Sequence, residues 1–541
     1  MSKSSHVIES SVDIRSDAYL TQRASMLELV EELRTHESTV IARGEKARGK
    51  FVHRGQLMPR ERLDLLLDPG APFVELSTLA GFGMHDDKKT PSGGGNVVGV
   101  GFVSGVRCLV NASDAAIKGG SITPMGLRKS LRAQEVALKQ RLPSVSLIES
   151  GGANLMYQSE IFVDGGRVFA NMARLSAAGI PQVTIVHGSS TAGGAYMPGL
   201  SDYVIAVRDR AKIFLAGPPL VKAALGEVAD DETLGGAEMH ATISGTAEYL
   251  ADNDAHAVEL ARQVVHSLGW NADATGSTHT EFEPPRYDPD ELAGAVPTDV
   301  RQPYDVREII ARTVDGSEFL EFKSGYGRNT VCGHAAIHGH RVGVIGNNGP
   351  IFPQGSVKAA QFMQLCEQTG IPLIFLMNTT GYMVGKDAEQ MGAIKHGAKM
   401  IQAVSNTTVP KLTVVVGGAY GAGNYGMCGR GYDPDFIFSW PNARVAVMGG
   451  DQAATVMKMI TAAKHQRKGI PLNEAALDMM AGEVKKRLDR ESTALFATAR
   501  LWDDGIIDPR DTRRVLAFCL DTCTEGRRRV LRPNSFGVAR G

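Results

Sequence analysis

The sequence predicts an α/β protein made of two copies of one unit, and three observations carry that reading. Residues 180–196, IPQVTIVHGSSTAGGAY, align with residues 409–425, VPKLTVVVGGAYGAGNY; Pro181 stands 229 positions before Pro410, Gly194 before Gly423 and Tyr196 before Tyr425. The same offset joins LPSVSLIESGG (142–152) to IPLIFLMNTTG (371–381), and drifts to 234–235 where GVRCLV (105–110) meets GHRVGV (339–344). Within each copy, short apolar runs alternate with helix-length amphipathic stretches, the pattern of crossover units on a buried, largely parallel sheet. Between the copies, residues 271–300 are polar, rich in proline and acid and without periodicity, as an inter-domain linker should be.

The elements follow in order. Residues 18–42 carry Leu20, Met26, Leu27, Val30, Leu33, Val40 and Ile41 at helical spacing. A basic stretch (Arg43, Lys46, Arg48, Lys50, Arg54) precedes a short helix, PRERLDLLLDPG, stopped at Pro69-Gly70. GGGNVVGVGFVSGVRCLVNAS reads as two strands and a turn. LRKSLRAQEVALKQR is helical, SVSLIES a strand and SGGANL a turn; FANMARLSAAG, PQVTIVHG and STAGGAYMPG repeat that order. The second copy runs through VCGHAAIHGHRVGVIGN, SVKAAQFMQLCEQTG, PLIFLMNTTGYMVG and PKLTVVVGGAYGAGNYG in the same sequence of elements. The basic tail EGRRRVLRPNSFGVARG reads as a solvated end.

With 541 residues the chain needs more than one core. A net charge of −1 gives no reason to expect nucleic acid or an anionic membrane as partner. No apolar run is long enough to span a bilayer, and the first twenty residues lack the apolar segment of a secretory signal. The expected place is the cytoplasm, with its six scattered cysteines reduced. Cys519 and Cys523 have no second pair, so no metal site is expected. A Gly-rich turn after a strand leaves backbone N–H groups free and lets a ligand approach them, so it can hold a phosphate, an enolate or an oxyanion. Two such turns at matched positions suit an enzyme with two carbonyl-like reactants.

The segments SGGANL, SSTAGGAYMPGLSDY, IFLAGPPLVKAALGE, LGGAEMH, SGTAEYLADNDAHAV, NTTGYMVG, GAYGAGNYGMCGRGYDP and WPNARVAVMGGDQAA closely resemble the β (carboxyltransferase) subunit of biotin-dependent acyl-CoA carboxylases, in the methylcrotonyl- and geranyl-CoA branch. That resemblance spans roughly residues 20–530. It implies two tandem crotonase-like domains: an N-terminal tail (1–20), an acyl-CoA-side domain (21–280) and a biotin-side domain (281–541). It implies a β6 core, an α6β6 holoenzyme with a biotin carboxylase/biotin carrier α subunit, and active sites formed between the N-domain of one copy and the C-domain of another. Biotin would be carried by the partner, acyl-CoA would be the substrate, and no metal would sit in this subunit. By the same resemblance Gly193 and Gly194 stabilise the thioester enolate, and Ala422 and Gly423 the negative oxygen of biotin. Gly119, Gly120, Ser121, Gly151 and Gly152 form the acyl-CoA side. Thr380, Gly381, Tyr382, Met383, Val384, Gly385 and Tyr425 form the biotin side.

Within this branch, methylcrotonyl enzymes carry Phe before the Gly-Arg of the segment FVDGGRVF, whereas geranyl enzymes carry Gly. Gly165 stands there in this chain, so the expected acyl group is longer, branched and unsaturated. Methylcrotonyl-CoA is the runner-up and a saturated acyl-CoA the third choice. Met457-Lys458-Met459 imitates a biotin attachment site but has helical surroundings, so the expected state is an unmodified lysine. His187 is expected at a strand end rather than as a base, Lys222 on a helix, and Glu149 and Glu227 without a role. The basic residues Arg48, Lys50 and Arg54 stand either as a solvated face or as contacts to CoA phosphates. Rival readings are a crotonase-type hydratase, which would be about half as long, a biotin-dependent decarboxylase, and an idle scaffold.

Overall fold

Strands with one apolar face cannot stand alone; the first sheet is closed by helices from the chain between and after its strands. The computed structural model describes residues 6–270, 281–469 and 471–539. The chain divides into two compact units. One gathers residues 35–277, 499–501 and 521–541, and the other residues 1–34, 278–498 and 502–520. The first ten residues of the expected linker, 271–280, lie outside the described residues; Pro289–Glu291 and Leu292–Ala295 form short helical turns in its remainder.

The first unit holds β1 (Val74–Leu76), β2 (Asn96–Val103), β3 (Val106–Ser113), β4 (Ser144–Ser150), β5 (Gln182–Thr191), β6 (Tyr203–Val207), β7 (Lys212–Phe214) and β8 (Tyr249–Ala251). They pair in the order β1-β2-β3-β4-β5-β6-β8, with β7 against the end of β5. The β2–β3 pair is an antiparallel hairpin, and β3 through β6 and β8 run parallel. Val145, Leu147, Val183, Ile185, Ile205 and Val207 pack with Ala257, Val258, Ala261, Val264 and Val265 of the helix Asp254–Ser267. The opposite face bears Ser144, Ser146, Gln182 and Thr184, set against the helices Pro124–Gln140 and Gln158–Ala177.

The second unit repeats this plan with β9 (Leu320–Glu321), β10 (Thr330–Ile337), β11 (His340–Asn347), β12 (Leu373–Thr379), β13 (Lys411–Tyr420), β14 (Phe436–Ser439) and β15 (Arg444–Ala446). Their order is β14-β13-β12-β11-β10-β9, with β15 against β13. The repeat is exact in chain position: β4, β5 and Pro124–Gln140 recur 229 residues later as β12, β13 and Pro353–Thr369. Even the irregularity of pairing recurs, between Ile148 and Ser150 in one sheet and between Met377 and Thr379 in the other. A bulge at the same place in both halves bends the strand ends where the glycine turns begin. The fold therefore places each turn at the carboxyl end of a parallel sheet, where open α/β sheets bind ligands.

Two expectations change. The helix predicted at FANMARLSAAG starts earlier, at Gln158, and so includes Gly165 and Gly166. The basic tail is exposed along most of its described length, as expected, but it is also anchored. Arg529 donates to the Gln140 carbonyl (2.9 Å), the Asn534 N–H to Ala177 O (2.9 Å) and the Val538 N–H to Ser176 Oγ (3.0 Å). Backbone groups left open at two helix ends, which composition does not reveal, hold the tail down.

Candidate active site

In the first unit β5 ends at Thr191 and passes through the turn Ala192–Ala195 into the short helix Tyr196–Gly199. Gly193 stands in the opening turn of this segment, where a backbone N–H has no partner within the segment. Gly193 is exposed and Gly194 buried. At the equivalent place in the second unit, Ala422 and Gly423 stand in the first turn of the helix Gly421–Gly426, where N–H groups have no partner within the helix, with Ala422 exposed and Gly423 buried. Amides at a helix start can hold a negative oxygen, and a glycine turn opening a helix stands at the same place in both units.

Part of what holds these turns recurs in both halves, but the Ser190 bond does not, because Ala419 stands at the matching position. The Gly152 N–H donates to Ser150 Oγ (3.1 Å), and Ser190 Oγ donates to the Gly194 carbonyl (2.9 Å). The Gly381 N–H donates to Thr379 Oγ1 (3.1 Å), the residue matching Ser150. A cross-tie joins Ile122 to Gly152 and Asn154 (2.9 and 3.0 Å), and its counterpart joins Ile351 to Gly381 and Met383 (both 2.9 Å). A Cβ at Gly423 would stand 2.8 Å from Gly381 Cα, and one at Gly120 would collide with the Glu149 carbonyl oxygen. Glycine is required there because backbone meets backbone.

The structure brings Gly119, Gly120, Ser121, Gly151, Gly152, Gly193 and Gly194 to the ends of neighbouring strands β3, β4 and β5. A Cβ at Gly151 would lie 3.3 Å from Gly119 O, and one at Gly194 would lie 3.2 Å from Ser150 Oγ. Gly165 and Gly166 lie on the adjoining helix, with nothing within 4 Å of a Cβ at either. In the second unit Thr380, Met383, Val384 and Gly385 are exposed beside the Ala422–Gly423 turn. Tyr382 turns inward: its hydroxyl bonds the Gly397 carbonyl (3.4 Å), its ring fills the space beside Gly426, and burial raises its pKa. Tyr196 and Tyr425 stand half exposed, braced by Phe169 (centroids 5.6 Å) and Tyr432 (5.7 Å) respectively.

Two arrangements escape sequence reasoning. Lys118 Nζ contacts Asp86 Oδ2 (2.8 Å), and Tyr157 donates to Asp86 Oδ1 (2.6 Å). The Lys118 hydrogen bond foremost, and Tyr157 after it, hold the Asp86 carboxyl below the usual range. His85 Nε2 meets Glu160 (3.1 Å). Together these tie residues 85–88 to the Gly119–Gly120 turn and to the helix that carries Gly165. Beneath the turns lies a buried network of Arg62, Glu149, His187 and Asp254. Arg62 pairs with Asp254 (2.9 Å) and Glu149 (3.2 Å), and His187 Nδ1 lies 2.8 Å from Asp254 Oδ1. Burial, with the Arg62 charge added to it, pushes His187 down to about 4. His187 is therefore a neutral residue inside β5, not at its end, and donates to an Asp254 carboxylate balanced by Arg62. Glu149, expected to have no role, anchors this network.

Lys458 sits on the helix Gly450–Arg467 and pairs with Asp478 of the helix Glu474–Glu491 (2.5 Å), not on a hairpin. Lys222 lies on the helix Pro218–Leu225. Arg48 is taken up by Glu45 and Glu61 (both 2.6 Å). Among the described residues no group of three His, Cys, Asp or Glu side chains is placed to hold a metal ion, and no helix is long and apolar enough to cross a membrane.

Residues 50–536 match the carboxyl transferase domain family. The chain is 48% identical to the probable mitochondrial methylcrotonoyl-CoA carboxylase beta chain of Drosophila melanogaster, over 95% of this chain and 92% of that one. It is also 48% identical to the biotin-dependent 3-methylcrotonyl-coenzyme A carboxylase beta1 subunit of Mycobacterium tuberculosis, over 92% and 94%. Among solved structures, the geranyl-CoA carboxylase beta subunit of P. aeruginosa superposes with a TM-score of 0.93 at 57% identity, covering 99% of this chain and all of that one. With its two tandem crotonase-like halves, the chain belongs to the carboxyl transferase family, in the branch of the methylcrotonoyl- and geranyl-CoA carboxylase β subunits.

Proposed function

We propose that this chain moves the carboxyl group of carboxybiotin, carried on a partner subunit, onto a branched unsaturated acyl-CoA, with the geranyl thioester favoured over the 3-methylcrotonyl one. The observation that carries the reading is the recurrence of a glycine turn opening a helix at matched positions in two halves of one chain. Its test is a substrate panel on the complete complex with geranyl-, 3-methylcrotonyl- and propionyl-CoA; a clear preference for propionyl-CoA would refute it.

The second unit suits the bicyclic ring of biotin. Gly423 brings its backbone close to that of Gly381 at the start of the helix Gly421–Gly426. Tyr425, Met383 and Val384 supply partly exposed apolar walls. Ala422 and Gly423 would hold the ureido oxygen and Thr380–Gly385 the ring. Carboxybiotin, when bound, supplies carbon dioxide and a ring nitrogen able to accept a proton. Gly193 and Gly194 hold the thioester oxygen as it gains charge on loss of the acyl proton, each donor worth roughly 3 kcal/mol. No side chain of the protein has to act as base. Neutral, buried His187 and the Arg62-paired carboxylates take no part in proton transfer and keep β4 and β5 in position.

Gly119, Gly120, Ser121, Gly151 and Gly152 would receive the thioester end of CoA, and Gly165 would leave room for its chain. The strong exposure of Leu155, Met156, Phe162 and Val163 beside one turn, and of Val384, Ile394 and Val447 beside the other, supports sites completed between the N-terminal unit of one copy and the C-terminal unit of another. The assembly proposed is a β6 core within an α6β6 holoenzyme in the cytoplasm, with domains meeting near residue 280. Purification from the native host, with identification of the biotinylated companion, tests the partner.

A further inference from the structure

The helix Gln158–Ala177 presents a second feature on the face that meets the first amide turn. Phe162, Gly165, Gly166 and Phe169, spaced by three, four and seven residues, form one stripe along it. The stripe lies beside the buried row Ile161, Val168 and Met172. Phe169 is partly buried, its ring 3.9 Å from a Cβ position at Gly193 and tilted against Tyr196. Phe162, at the other end, is 84% exposed in spite of its size. Between the two rings the glycines leave an open floor, with no atom within 4 Å of either Cβ position. Seven residues of helix advance about 10 Å.

We propose that Phe162 and Phe169 are specificity-determining residues that measure the acyl chain, a reading that rests on the carboxyltransferase function above. Phe169 packs against the carbons next to the thioester, the glycine floor takes the chain lengthwise, and Phe162 closes over its far end. An extended chain advances roughly 1.2 Å per bond, so the space between the rings fits eight bonds. That is an acyl group of two five-carbon branched units. A single five-carbon unit ends over the glycines and never reaches Phe162. Flat, unsaturated carbons lie well against an aromatic ring, and covering Phe162 removes exposed apolar surface from water.

The test uses the wild-type complex with its biotin-bearing partner and compares kcat/KM for the ten-carbon geranyl and five-carbon 3-methylcrotonyl thioesters. Phe162→Ala should lower the ten-carbon to five-carbon ratio about tenfold, and Phe162→Leu by much less. Phe169→Leu should lower kcat/KM for both thioesters by a similar factor, because both chains pass that ring. A Phe162→Ala complex that turns over both thioesters with an unchanged ratio would overturn the ruler alone. A wild-type complex that carboxylates no acyl-CoA would overturn the carboxyltransferase reading and the ruler with it.

Discussion

Replacing Gly423 by alanine isolates what the second turn does. Its methyl group would fall 2.8 Å from Gly381 Cα and 2.9 Å from Thr379 Cγ2. Carbon atoms rest about 3.5–4.0 Å apart, so one turn must retreat by about 1 Å. Gly381 Cα is backbone, tied through its residue's N–H to Thr379 and through its carbonyl to Ile351, so it cannot rotate aside. A displacement of that size in a catalytic group costs about 100-fold in rate, while overpacking costs stability on the order of 1–3 kcal/mol. Labelled bicarbonate incorporation by the complete complex should therefore show kcat reduced about 100-fold, with KM for acyl-CoA little altered, because the acyl-CoA turn is untouched. Gly194→Ala is the comparator: its methyl meets the side chain of Ser150 at 3.2 Å, which can give by a few tenths of an ångström. A loss near tenfold is expected there. A folded Gly423→Ala complex with kcat within twofold of wild type would refute the reasoning.

Other consequences are open to measurement. Gly165→Phe has no atom in its way and should fold normally while depressing kcat/KM for the longest thioester most, read from the same substrate panel. His187 stays neutral in the fold to about 4 while the open chain takes a proton near 6.5, so stability falls as pH drops through that window. The loss is about 3 kcal/mol; denaturant melts between pH 6.5 and 4 should show the slope, and His187→Gln should flatten it. Asp86→Asn removes the partner of Lys118 and should raise KM for acyl-CoA several-fold with kcat little changed, by steady-state kinetics. Avidin blotting of the purified chain should give no band, since Lys458 is paired on a helix, and Lys458→Arg should leave carboxylation intact.

Most of the frame was legible before any coordinates, because it is written in periodicity. The 229-residue offset predicts that β4, β5 and the helix between β3 and β4 recur, and they recur residue for residue. Glycine turns after apolar strands mark where amides are freed, and both turns stand at strand ends. What stayed hidden depends on side chains distant in sequence. Arg62, Glu149, His187 and Asp254 meet only because β4 and β5 pair beside the start of the helix Asp254–Ser267, and nothing local links them. The Asp86–Lys118–Tyr157 tie has the same character. The charge of the tail predicts its exposure but not that backbone groups at residues 140 and 177 anchor it. Gly165-Gly166 concealed the true start of its helix, since glycine is a weak helix former and packing overrides it.

The sharpest trial is a crystal structure of the oligomer soaked with an acyl-CoA and free biotin. The account predicts the thioester oxygen about 2.7–3.1 Å from the Gly193 and Gly194 nitrogens, and the ureido oxygen equally near those of Ala422 and Gly423. Either oxygen found facing solvent or a side chain, away from its amide pair, would contradict it.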